Sequence, residues 1–447
     1  MHLCWQDQLD LRDRTLALSP ATHFTTNDFM KHSMVQSEIA PLRRVLVHRP
    51  DLGISQITPW RAEELLFDDI VHLPTMQEEH DIFTQVLASF VGAENVLDTQ
   101  QLIAETLEAS PAWRIRVIEN ITHSENLPST FQDLLAGLPA EQLAEVLISG
   151  YLSDQDLALF DPLPNYIFTR DIAVLVNDHA VLTKMAKKAR SRENILTQLV
   201  FKGHPDFRNL LAQGKVIDLN QIDHFPPSNK GERVTIEGGD LMVINSDYLL
   251  MGCSERTTGH AVHSLRDKLF QKGVIKNVVQ INIPKYRSFM HIDTIFTQIS
   301  DRHVVAFKPL VSDGLGSNVE VHRIDGSKVL YPSIERFFQE EIDSNIEFIY
   351  SGLGESPYQE REQWTDGCNL LAIRSGIAIT YDRNPKTDEA FRRAGYTVLH
   401  ATEYLQQLAD GKIDPQTMEN TIITLPSNEL SRARGGSHCM TCPIERG

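Results

Sequence analysis

The sequence predicts an α/β fold made of repeated strand-turn-strand units packed around a common centre, interrupted by one helical segment. Two observations carry this. After residue 160 a single pattern recurs four times: a polar residue, a short apolar strand, a tight turn and a second apolar strand. Between residues 97 and 160 the apolar spacing is instead that of helices.

The four copies read as follows. Asp171 precedes IAVLV, a turn at Asn177-Asp178 and HAVLT. Asp240 precedes LMVI, a turn at Asn245-Ser246-Asp247 and YLLMG. Asp293 precedes TIFTQI, a turn at Ser300-Asp301 and HVVAF. Asn369 precedes LLAI, a turn at Ser375-Gly376 and IAITY. Asn, Asp, Ser and Gly tolerate the backbone that tight hairpins require. Helical patterns follow several copies, as at 257–270. Repeats of this kind suggest radial packing; an ordinary α/β sheet with similar hairpins is the alternative. In radial packing the leading polar segments converge.

Ahead of the repeats, Val45, Leu46 and Val47 form a strand stopped by Pro50. Pro139 opens a helix that Gly150 ends, with Leu143, Val146 and Leu147 on one face. The expected organisation is a main body over 34–96 and 161–447 with an all-helical insertion at 97–160. Residues 1–33 are expected to be an N-terminal extension, disordered or derived from an upstream start codon.

Composition narrows the function. With 42 basic and 60 acidic residues the net charge is -18, which argues against a nucleic-acid partner. Five scattered cysteines do not make a disulfide framework and fit a reducing compartment. No apolar run reaches the ~20 residues of a membrane span, and the first residues lack the apolar core of a signal peptide. The cytoplasm is the expected location, with no membrane partner and a homo-oligomer left open.

The leading segments PNYIFTRD (164–171), EGGD (237–240), MHID (290–293) and EREQWTDGCN (360–369) are unusually polar. Unpaired carboxylates at strand starts in a core are costly, so something cationic should compensate them. Near the C-terminus, SRARGGSHCMTCP (431–443) offers a thiol after two glycines that permit a tight turn. The inventory is a thiol (Cys439), an imidazole (His291), three carboxylates (Asp171, Glu237, Asp293) and several arginines. It suits attack on a guanidinium, a planar cation whose edges pair with carboxylates while a thiolate faces its carbon. No phosphate loop and no HExxH motif occur, so neither cofactor nor metal is expected.

Each feature has a plainer reading. A lone cysteine is more often a buried small hydrophobe, and a lone histidine a structural one. Cys439 and Cys442 form a CxxC that suits a redox pair or half a zinc site, although no second CxxC exists. EGGD alone is often a turn. The run KMAKKARSR (184–192) reads as a mostly solvated helix face.

Taken together, the segments resemble the arginine deiminases of the guanidine-modifying, or amidinotransferase, superfamily. The markers run in order from about Glu38 to the C-terminus: LRRVLVHRP (42–50), ELLFDDI (64–70), LPNYIFTRD (163–171), IEGGD (236–240), GCSERT (252–257), MHIDT (290–294), REQWTDGCN (361–369), YDRN (381–384) and RARGGSHCMTCP (432–443). The resemblance implies a five-bladed, pseudo-symmetric β/α propeller (the pentein fold) and hydrolysis of L-arginine to L-citrulline and ammonia through an S-alkylthiouronium intermediate. It implies that Cys439 is the nucleophile, His291 the general acid/base and Glu237 its carboxylate partner. Asp171 and Asp293 match the guanidinium-binding aspartates. Arg190 and Arg256 match the arginines that hold the substrate carboxylate, Asn165 and Phe168 contacts beside them, and Arg434 an arginine on a closing loop. Ile172, Cys368 and Ser437 depart from residues frequent in the family but remove no catalytic group. Two alternatives stay open: an amidinotransferase on the same scaffold, and an inactive arginine-binding homologue.

Overall fold

The structure is a computed structural model that describes residues 34–447. The expected extension at 1–33 lies outside the described residues.

Five sheets share one plan: a strand with an antiparallel neighbour on one side and a parallel neighbour on the other. The second sheet has Ala173–Val176 antiparallel to His179–Leu182, which pairs in parallel with Val216–Asp218. The third has Leu241–Asn245, Tyr248–Cys253 and Asn277–Asn282, extended by Asn318–Arg323 and Lys328–Tyr331. The fourth has Phe296–Gln298, His303–Ala306 and Glu347–Tyr350. The fifth has Leu371–Arg374, Ile377–Tyr381 and Thr421–Leu425, with Thr397–His400 at its edge. In the first sheet Leu42–Val47 pairs in parallel with Val96–Asp98, and its antiparallel neighbour comes from the far end of the chain, Cys442–Arg446. Helices bridge the parallel pairs, as Leu73–Val91 does in the first sheet and Gly259–Lys272 in the third.

The hairpins form where turn residues allow. Asn177 takes φ +50° and Gly376 φ +83°, and Asn245 Oδ1 accepts from the N–H groups of Asp247 and Tyr248. The inner strands are buried along most of their length, Leu371–Arg374 and Ile377–Tyr381 among them, as expected of strands covered on both faces.

Residues 97–160 are not helical throughout. Val96–Asp98 is a strand, because it completes the first sheet. Helices then span Thr99–Ala109, Pro111–Ser124, Thr130–Ala136 and Ala140–Ser149. Asp98 Oδ1 caps the first of these through Gln100 and Gln101. The last ends at Gly150 with φ +72°, where a Cβ would lie 2.1 Å from the Phe160 carbonyl oxygen. A small hairpin of Tyr151–Leu152 and Leu157–Ala158 follows. Two-residue strands leave no alternation to read, so the sequence conceals them.

One buried arginine ties this segment to the body. Arg192 donates to the carbonyls of Leu147 at 3.0 Å and Asp161 at 2.6 Å and to Glu125 at 2.8 Å, and it lies over the Phe160 ring. It is the second residue of helix Ser191–Gly203, which starts immediately after Arg190. The run 184–192 is therefore not a solvated helix face. It is a turn leading into that helix, and Met185, Arg190 and Arg192 are all buried.

Candidate active site

Three of the four leading segments share a local form. Single helical turns at Pro164–Ile167, Gly238–Asp240 and Ile292–Thr294 precede the inner strands. Each breaks the extended backbone just before a sheet begins and projects polar side chains together. Two glycines make the approach close enough. A Cβ on Gly239 would lie 2.6 Å from His291 Nδ1 and 3.0 Å from Asp293 Oδ1, and one on Gly238 would lie 2.0 Å from the Arg170 carbonyl oxygen.

The structure brings Cys439, His291, Glu237, Asp171 and Asp293 into one buried cluster. The Cys439 thiol donates to Asp293 Oδ2 at 3.5 Å, and Asn369 Nδ2 donates to the sulfur at 3.2 Å. The Cys439 N–H donates back to Asn369 Oδ1 at 3.2 Å. His291 Nε2 meets Glu237 Oε2 at 3.0 Å, and its Nδ1 lies 3.8 Å from Asp171 Oδ1. The Gly239 N–H donates to that same Asp171 oxygen at 3.2 Å. Asp293 Oδ1 is buried without a hydrogen-bond partner among the described residues.

Electrostatics follow from these neighbours. Burial, and then the Asp293 and Asp171 carboxylates, push the Cys439 thiol well above its ordinary range. Burial opposes a charged His291, but Asp171 and the bonded Glu237 outweigh it and raise the imidazole to about 10. Burial would raise Glu237, yet Arg256, His291 and Arg190 hold it well below the usual carboxylate range. The resting centre is therefore a neutral thiol beside an imidazolium among carboxylates.

Arg190 and Arg256 are both buried against this cluster. Arg190 donates to Asp171 Oδ2 at 2.6 Å and grips Glu193 with two N–H groups at 2.9 Å each. Arg256 donates to Glu237 Oε2 at 3.4 Å. Asn165 gives its carbonyl oxygen to Arg190 at 3.3 Å and donates from Nδ2 to the Leu65 carbonyl at 2.7 Å. Phe168 packs so closely on Gly435 that a Cβ there would lie 2.4 Å from its ring. Arg434 stands apart from the carboxylates. It takes φ +66°, lies 3.2 Å over the Trp364 ring and donates to the Trp364 carbonyl, and has Asp68 3.6 Å away.

Asp171, Glu237 and His291 also lie within 4.8 Å of one another, a spacing that could hold a metal ion. The guanidiniums of Arg190 and Arg256 at 2.6 to 3.6 Å already neutralise those oxygens. The donor set thus fits paired cations better than a metal. Cys439 and Cys442 are free thiols, and the Cys442 thiol points instead to the Ala173 carbonyl.

Several members of the site escaped the sequence reading. His438 bridges Asp293 Oδ2 at 2.9 Å and Glu38 Oε2 at 3.3 Å. Only its position beside Cys439 hinted at a role. Glu193 is three residues beyond Arg190 on a helix, a spacing that signals pairing. Asn369 reads in the sequence only as the polar residue leading the fourth repeat, and Glu38 carries no local signal.

The chain has relatives among known proteins. The family model described as arginine deiminase matches residues 63–446. The arginine deiminase of Listeria welshimeri serovar 6b is 33% identical over 438 residues, covering 92% of this chain and 98% of that protein. The arginine deiminase of Mycoplasma capricolum subsp. capricolum is 31% identical over 429 residues, covering 92% and 96%. Among solved structures, DDAH from Pseudomonas aeruginosa complexed with citrulline aligns with a TM-score of 0.48 at 14% identity, over 90% of this chain and 99% of that one. On the family match and the identity to these relatives, the chain belongs to the arginine deiminase family.

Proposed function

We propose that this protein hydrolyses L-arginine to L-citrulline and ammonia, with Cys439 as the nucleophile. The observation that carries the reading is the buried Cys439 sulfur set 3.5 Å from an aspartate whose other oxygen has no hydrogen-bond partner among the described residues. A substrate guanidinium supplies the missing donors to Asp293, with Asp171 on its other edge. Its positive charge also offsets the two carboxylates that keep Cys439 protonated, so binding and thiolate formation are coupled.

As arginine enters, the Cys439 thiol loses its proton to solvent, and the thiolate sulfur adds to the guanidinium carbon. The C–N bond to a terminal nitrogen breaks as the His291 imidazolium gives that nitrogen a proton, and ammonia leaves. The S-alkylthiouronium remains on Cys439. His291, now neutral and held by Glu237, takes a proton from water, whose oxygen attacks the same carbon. The C–S bond then breaks as the hydroxyl proton on that carbon passes to the departing sulfur, releasing citrulline and restoring the Cys439 thiol. Arg190 and Arg256 hold the substrate carboxylate, with Asn165 and Phe168 beside them, and Arg434 closes over the bound substrate. Arg190 must turn away from Asp171 as arginine enters, which frees that aspartate for the guanidinium. The common plan of the five sheets supports a five-bladed radial arrangement around this centre, with 97–160 as an insertion.

The test is purified protein with L-arginine alone, with amino-acid products identified. Citrulline and ammonia in equal amounts are expected, and chelators should not change the rate. Added glycine separates the amidinotransferase alternative, which would yield ornithine and a guanidino product. Arg190→Ala or Arg256→Ala should lower kcat/KM by roughly 10- to 100-fold. Turnover that ignores both changes would remove the substrate-carboxylate role.

A further inference from the structure

A cavity of about 590 Å³ lies apart from the catalytic cluster, between helix Leu73–Val91, the chain after strand Leu42–Val47 and helix Ala140–Ser149. That volume suits a small organic ligand. Its lining is acidic: Asp51, Asp81, Asp98 and Glu145 face it, and Arg49 is the one Lys or Arg among its lining residues. Three of the four acids are engaged. Asp51 holds His48 and the Gly53 N–H, Asp81 pairs with Arg49, and Asp98 caps a helix. Glu145 is half-buried and has no hydrogen-bond or ion-pair partner among the described residues. Its carboxyl is pushed up by burial and then by Asp51.

The wall also holds an unsatisfied donor-acceptor pair. His80 borders the cavity but is 1% exposed, and both its ring nitrogens are buried without hydrogen-bond partners among the described residues. A buried polar group without partners is costly and calls for an explanation. Burial favours neutral His80, which leaves one ring nitrogen able to accept.

We propose that this cavity is a second ligand site that takes a small organic cation without a carboxylate, an alkyl amine or guanidine, whose N–H donors bond Glu145 and, after a turn of its ring, the accepting nitrogen of His80. Carboxylate excess attracts the charge, and the apolar wall from Ala88, Ala93 and Val96 takes the alkyl stem. A carboxylate on the ligand would meet a lining with more acids than cations.

Titration calorimetry with 1,4-diaminobutane tests this, since the compound has no guanidinium to turn over. Saturable binding is expected, weakened roughly tenfold in Glu145→Gln while citrulline formation stays at the unmutated level. L-arginine at saturation on a Cys439→Ala protein should leave diamine binding unchanged. No saturable binding, equal binding by Glu145→Gln, or displacement by L-arginine overturns the proposal.

Discussion

Asp293 is the side chain on which the reactive geometry turns. One oxygen meets both the Cys439 sulfur and His438, and the other is unpartnered. His438 is itself held on its far side by Glu38, which Arg170 and His438 keep well below the usual carboxylate range although burial opposes this. The relay fixes the aspartate plane, and in the proposed mechanism the second oxygen is the one that receives the substrate guanidinium. Replacing His438 by Ala leaves Asp293 and Glu38 buried with one partner fewer each. Steady-state assays should show kcat/KM reduced about 10- to 100-fold, mainly through a higher KM. An unchanged kcat/KM in a folded variant would place the specificity elsewhere. Neither Glu38 nor its partner was legible in the sequence, since nothing local marks a bond between residues 400 positions apart. Cys439, His291 and the carboxylates were legible because short motifs at repeat boundaries hold them.

Secondary-structure elements set how near these groups can come. The turn Gly238–Asp240 has room for His291 only because position 239 lacks a side chain. Gly239→Ala should lower kcat by about 100-fold or more through displacement of the imidazole, with the far-ultraviolet circular dichroism unchanged. Helix Leu73–Val91 works at longer range. Glu79 on that helix accepts the backbone N–H groups of Asn428, Glu429 and Leu430, which lead into the Arg434 segment. Glu79→Gln replaces an acceptor by an amide that must point N–H at N–H. Stability should fall by about 1 to 3 kcal/mol and KM for L-arginine should rise; a normal KM would separate the helix from the closing segment. The hairpins themselves were readable from apolar strands and turn residues. The strand at Val96–Asp98 was not, because its pairing with Val45–Val47 is set by tertiary contact.

For the molecule as a whole, stability carries the signature of its buried charges. His291 binds its proton more tightly when folded, so its contribution is complete below its ordinary 6.5 and fades as pH rises to about 10. Glu237 and Glu38 are held down, so their contribution is present above 4.5 and is lost as pH falls through their folded values. Burial raises Glu193 to about 7 and Asp240 to about 6, so these two cost stability as pH climbs from their ordinary values through those points. Calorimetry should find Tm highest on the acid side of neutrality and falling toward pH 9, with a shallower fall in His291→Asn. A Tm that rises between pH 7 and 9 would contradict this charge assignment. The sequence showed the surplus of acid and the His291–Glu237 pair, but not that the central carboxylates also pair with Arg170, Arg190 and Arg256 in the interior.

The covalent step is the most direct point of attack. Trypsin should release Gly435–Arg446, which contains both Cys439 and Cys442. Protein saturated with L-arginine, acid-quenched over a series of early times and analysed by mass spectrometry should carry a group of arginine less ammonia on Cys439, while Cys442 stays free. Citrulline appearing with no adduct on Cys439 at any time, or with the adduct on Cys442, would contradict the account.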